Sequence, residues 1–214
     1  ADALPTLSEA TSDNRETNKS STAVLLEWIK SMGGDGIVID RNAQPRYLSD
    51  LPSDRYSEAG LKITRIDFTE AKIADADLKR ISDVTTLVEL ILSRTQVSDD
   101  GLEHLSKLRD LTFLNLVETS VEGHGFSHLS DLPNLSQLIL SRSKFNDRGL
   151  RTISPMRITQ LTLDDTQITT ASLSILATMK DLRELNLMDL KLTTEQLDVL
   201  RQQLPSCEIV PRRE

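Results

Sequence analysis

From Ile63 onward the chain repeats itself, and this periodicity constrains the fold more than any other feature. Aligned on their first aliphatic position, Ile63, Leu87, Leu111, Leu135, Ile158 and Leu182 follow at steps of 24, 24, 24, 23 and 24 residues. In the second repeat the aliphatic positions are Leu87, Leu90, Leu92, Val97, Leu102 and Leu105, and each has an apolar counterpart in the other five repeats. A unit this short cannot bury its apolar face alone, so neighbouring units must stack and share one continuous core. Aromatic residues make up only 3% of the chain, as expected of a core assembled from small aliphatic layers.

Each repeat carries two periods. Alternation at Leu90 and Leu92 marks a short strand, and spacing of three at Leu102, Leu105 and Leu108 marks a helix after a turn. Parallel strands stack about 4.8 Å apart, whereas helices need roughly 10 Å each. Joining a narrow layer to a wide one bends the stack. The expected fold is therefore α/β: a right-handed solenoid, or horseshoe, with parallel strands on the concave side and helices on the convex side. Asp75, Asp99, Asp147, Thr170 and Thr194 stand just before the helices and are expected to cap their exposed amides.

Composition divides the remainder. Residues 1–21 are polar and predict a flexible tail. Residues 22–62 predict an N-terminal cap: a helix over 22–34 carrying Trp28, a strand at Ile37–Ile39, and a polar loop anchored by Leu51 and Tyr56. Six repeats occupy 63–206, and residues 207–214 form a last strand and tail.

The stretch from Leu87 to Leu105 reads Leu-x-x-Leu-x-Leu-x-x-Thr-x-Val-x-Asp-x-Gly-Leu-x-x-Leu. This pattern resembles the leucine-rich-repeat family over residues 63 to about 210. Its Thr95–Leu102 segment resembles the bacterial type abundant in planctomycete-like genomes. The helix, Gly33-Gly34 and following strand look like the cap often seen before such repeats. Where the family usually has Asn at the ninth position, this chain has Ala71, Thr95, Thr119, Ser143, Thr166 and Leu190. The resemblance implies a non-catalytic module that binds a protein partner, with a structural or scaffolding segment of a larger assembly as the alternative.

Charge and cysteine content narrow the chemistry. A formal net charge of -8 repels phosphate, which argues against nucleic acid and anionic membrane as partners. No apolar run approaches the roughly 18 residues of a membrane span. Cys207, the only cysteine, allows no intrachain disulfide and reads as a small core residue rather than a nucleophile. His104, His124 and His128 lack the further ligands that a zinc site needs and read as surface residues. No catalytic motif, cofactor or metal is expected. The opening Ala1-Asp2-Ala3 looks like a mature N-terminus and leans the expectation towards export.

Two sets of residues stand out as binding candidates. The outward strand positions place Ile91, Phe113, Asn115, Val117 and Ile139 in the middle of the concave face, with polar flanks. The eighth position reads Glu70, Arg94, Glu118, Arg142, Asp165 and Asp189. Such a row is either a self-neutralising device that sets the register of the coils or a charged rim that orients a partner. The ninth-position hydroxyls are expected to bond to backbone groups of the turn.

Overall fold

The computed structural model describes residues 21–188 and 190–211. Residues 1–20, Asp189 and 212–214, on which parts of the tail and rim expectations fall, lie outside the described residues.

Among the described residues, seven parallel strands carry the repeats: β3 (Lys62–Asp67), β4 (Glu89–Ile91), β5 (Phe113–Asn115), β6 (Gln137–Ile139), β7 (Gln160–Thr162), β8 (Glu184–Leu187) and β9 (Glu208–Pro211). They pair in sequence order with matching positions side by side, so that Leu90, Leu114, Leu138, Leu161, Leu185 and Ile209 form one inward row. A one-residue slip would turn that row to solvent, which is why the register is strongly specified. Leu90, Leu114, Leu138, Leu161 and Leu185 are fully buried.

The first strand layers are covered differently. Strand β1 (Asp35–Ile39) runs antiparallel to β3, and β2 (Pro45–Tyr47) pairs antiparallel with β1. Helix α1 (Ser21–Ser31) buries Ala23, Leu26 and Ile29. The half-buried Trp28 meets Phe68 edge-on at 5.5 Å between ring centroids, and Arg80 lies 5.2 Å over its ring. Leu51 and Tyr56 anchor the loop as buried residues. The end of a solenoid would otherwise expose the apolar layer of its first coil, and these groups cover it.

The convex elements differ from the expected run of α-helices. Asp75–Ile81, Asp99–Leu105 and His124–Leu129 are 3-10 helices. Later coils have α2 (Asp147–Ile153), α3 (Leu173–Leu176) and α4 (Thr194–Gln203). Spacing alone does not separate the two kinds over so short a stretch: Leu150 and Ile153 on α2 stand three apart, as do Leu102, Leu105 and Leu108 on and after a 3-10 helix. These three leucines are fully buried.

The capping expectation is corrected by one residue. Asp75, Asp99, Asp147 and Thr194 are the first residues of their helices, and Thr170 opens the 3-10 turn Thr170–Ser172. Side-chain caps come instead from Ser98, Asn146, Thr169 and Thr193. The aspartates turn to the following coil. Asp75 accepts the Ser98 N–H at 2.7 Å and the Ser98 hydroxyl at 2.7 Å. Asp99 accepts the N–H groups of Glu122 (2.6 Å), Gly123 (2.9 Å) and Gly125 (2.6 Å). Asp147 accepts the Thr169 N–H (2.8 Å) and the hydroxyls of Thr169 (2.6 Å) and Ser172 (2.5 Å). Gly125 allows this approach, because a Cβ there would collide with the backbone oxygen of Asp99.

Candidate functional site

The outward face of the strands is built by the same alternation that buries the leucines. Its third-position row runs Arg65, Glu89, Phe113, Gln137, Gln160, Glu184 and Glu208 across β3 to β9. Its fifth-position row runs Asp67, Ile91, Asn115, Ile139, Thr162, Asn186 and Val210.

The five residues singled out from the sequence lie together on β4 to β6 and the residues just after β5, but they are not equally accessible. Phe113, Val117 and Ile139 are half-buried. Ile91 is only 8% exposed, a correction to its expected exposure, although it stands outside the main apolar core. Its row neighbours are Asp67 and Asn115, and its strand is flanked by the Arg65–Glu89 pair (2.9 Å). Asn115 has a structural duty: its Oδ1 accepts the Ser93 hydroxyl at 2.9 Å and the Val117 N–H at 3.0 Å. The accessible apolar group is thus Phe113, Val117 and Ile139, held around a fixed Asn115.

The eighth-position residues lie at the end of the strands. Glu70, Arg94, Glu118, Arg142 and Asp165 all adopt positive φ, between 50° and 63°. L-residues seldom adopt that conformation. Each of the first four donates its N–H to the next coil, as Arg94 does to the Val117 carbonyl at 2.8 Å. Side chains link the row as well. Arg94 pairs with Glu70 (2.5 Å) and Glu118 (3.0 Å), and Arg142 pairs with Glu118 (2.8 Å). Hydrogen bonds from Arg142 and Arg94 hold the Glu118 carboxyl below its ordinary range. Asp165 extends the alternation with no cation in pairing distance among the described residues. One position further on, Thr95, Thr119, Ser143 and Thr166 donate their hydroxyls to the carbonyls of Leu92, Leu116, Leu140 and Leu163 at 2.6–2.8 Å.

No family model and no curated protein matches the sequence. Solved structures do. An internalin C2 from Listeria monocytogenes aligns over 90% of this chain and 82% of its own, with 15% identity and a TM-score of 0.52. An internalin, inlF, from the same organism aligns over 90% of this chain and 55% of its own, with 17% identity and a TM-score of 0.55. The fold is the leucine-rich-repeat fold.

Within this leucine-rich-repeat scaffold the other chemistry-bearing residues are dispersed. No cluster of three or more His, Cys, Asp or Glu suited to a metal exists among the described residues. His124 lies 3.5 Å from Asp99, and His104 lies 3.8 Å from Glu103. Cys207 is half-buried against the last leucine-rich coil, where burial pushes its thiol up to about 11, away from the thiolate needed for nucleophilic chemistry. No helix among the described residues is long and apolar enough to cross a membrane. The outward strand positions read from the sequence omit Glu208 from the third row. The signal for it is the spacing of 24 residues from Glu184, which continues the repeat through β9.

Proposed function

We propose that the chain is a protein-interaction module whose partner lies across the strand face, centred on Phe113, Val117 and Ile139. The observation that carries this reading is the accessible apolar group on neighbouring strands β5 and β6, displayed by a backbone ladder whose strands pair in register. Interface energy concentrates in such central groups, ringed by polar residues that exclude water. A buried Phe or Ile contributes about 1.5–3 kcal/mol by removing apolar surface from water. The eighth-position row borders this face, and its role is to hold the coils in register beneath the partner. The leucine-rich-repeat fold supports the reading by presenting one side chain per row and coil at regular spacing.

The test is capture of a partner from the native cell, repeated with Phe113→Ala. Affinity should fall at least tenfold with the melting temperature nearly unchanged, because Phe113 lies outside the solenoid core. A control at Glu89 should have a smaller effect. Intact capture by a folded Phe113→Ala protein would move the site off this face.

A further inference from the structure

The strand face is electrostatically lopsided. Among the described residues, Arg65 is the single cation on its third-, fifth- and seventh-position rows, and it is held by Glu89 (2.9 Å) and Asp67 (3.4 Å). From β5 onward the described residues of these rows carry Asp164, Glu184 and Glu208 and no Lys or Arg, while Arg212, which continues the seventh-position row, lies outside the described residues. None of these three carboxylates forms an ion pair among the described residues. Glu184 and Glu208 are exposed neighbours on β8 and β9. The cation nearest in sequence, Arg183, turns its guanidinium to the backbone carbonyls of Lys180 (3.1 Å) and Leu182 (2.9 Å). Among the described residues, Asp164 accepts only neutral donors, the Met188 N–H at 2.9 Å and the Ser141 hydroxyl at 3.5 Å.

Between this acidic end and the apolar group, no side-chain hydrogen bond ties down Gln137, Gln160 or Thr162 within the described residues. The first half of the face is internally paired, whereas among the described residues the second half carries carboxylates without an ion pair beside uncommitted hydrogen-bonding groups. Like charges on neighbouring strands repel, so Glu184 beside Glu208 costs stability unless something else uses them.

Resting on the reading of the face as a binding surface, we propose that the docking segment of the partner is cationic. It sets one apolar side chain on Phe113, Val117 and Ile139 and places Lys or Arg over Asp164, Glu184 and Glu208. Complementary charge steers encounter and rejects acidic competitors. The geometry also gives a spacing. Ile139 on β6 is two strand gaps from Glu184 and three from Glu208, about 10 and 14 Å at the usual separation. An extended segment crossing the strands advances about 3.3 Å per residue, so its basic residues fall about three to five positions from its apolar anchor.

Phage-displayed random 12-residue peptides selected on the full chain test this. Enriched peptides should carry Lys or Arg three to five positions from an apolar residue. Synthesised peptides should bind the double variant Glu184→Gln, Glu208→Gln about fivefold or more weakly, and added salt should weaken wild-type binding. They should bind Phe113→Ala at least about tenfold more weakly. Circular dichroism melts establish that both variants fold. Peptides without basic enrichment that still depend on Phe113 would overturn the cationic partner and leave the face standing. Peptides indifferent to both variants would overturn both readings, and a selection that enriches nothing overturns the cationic segment.

Discussion

Two ladders of charged side chains run from coil to coil, one in each flank of the same repeat. Along the eighth position, Glu70, Arg94, Glu118 and Arg142 exchange ion pairs at the surface. Along the thirteenth, Asp75, Asp99 and Asp147 accept hydrogen bonds from the coil that follows. Both use ionised groups and the same 24-residue step, but they differ in what the charge replaces. A surface ion pair replaces good hydration with a screened attraction and contributes little. Asp99, 4% exposed, answers three backbone N–H groups that would otherwise lack partners. The third coil has Gly123 where the aspartate would stand. There the junction with the fourth coil is made instead by Phe126 and Phe145, whose rings meet edge-on at 6.0 Å.

Asp99→Ala should therefore be the most damaging single change in either ladder. Two of its donors, the Gly123 and Gly125 amides, are buried, and leaving them unanswered should cost about 3–4 kcal/mol in chemical denaturation. Amide exchange at Gly123 and Gly125 should accelerate well before exchange at Leu161. Equal exchange rates in the variant and the wild type would show that other groups hold this junction. Thr119→Val probes the buried hydroxyl between the two ladders. It removes one local hydrogen bond to the Leu116 carbonyl with little change of shape, and should cost about 1 kcal/mol.

The repeat spacing reveals the strands, their register and the inward leucines, because each is a consequence of local alternation repeated six times. It does not reveal where the aspartates point. Asp99 looks like a helix cap from its place before Leu102, and only the stacking of coils shows that its carboxylate meets Gly125 of the next one. The Gly in the repeat pattern is legible as a letter but not as a reason, since what it avoids is an atom 26 residues away. The low exposure of Ile91 is hidden for a similar cause. Alternation fixes which face a side chain occupies, but says nothing of how closely neighbouring side chains on that face close over it. The spacing of three on the convex side does not separate 3-10 turns from α-helix, because a helix of either kind satisfies it over so few residues.

Acid separates the ladders further. At Asp147 burial raises the carboxyl pKa, but hydrogen bonds from Ser172 and Thr169 outweigh it and the net shift is downward from 3.8. A group whose folded pKa is depressed contributes stability at pH values above its unfolded pKa and loses that contribution as pH falls through the folded value. The difference in melting temperature between wild type and Asp147→Asn should be constant near neutrality and shrink below about pH 4. A gap that persists undiminished to pH 2 would mean that the negative charge is not what Thr169 and Ser172 require.

The smallest effect is expected on the exposed ladder, and its size decides what that ladder is for. Arg94 touches Glu70 and Glu118 at once, and Glu118 in turn touches Arg142, so the row is a network rather than isolated pairs. Its side chains are solvent-facing, and their attraction falls with ionic strength. The backbone beneath them is the costly part: Glu70, Arg94, Glu118 and Arg142 hold positive φ while each N–H reaches the next coil. Pairing of opposite charges on neighbouring coils favours this arrangement over a slipped one, in which Arg94 would face the uncharged Val117 or Thr119 instead of Glu118. A double-mutant cycle with Arg94→Gln and Glu118→Gln should show a coupling smaller than the loss from Thr119→Val, and salt should erase it. The swap Arg94→Glu with Glu118→Arg keeps this pair but sets it against its row, since it places a second carboxylate beside Glu70 and a second guanidinium beside Arg142. It should destabilise more than either single neutralisation despite unchanged net charge. If the swapped protein is as stable as the wild type, the alternation of sign has no part in setting the register of the coils.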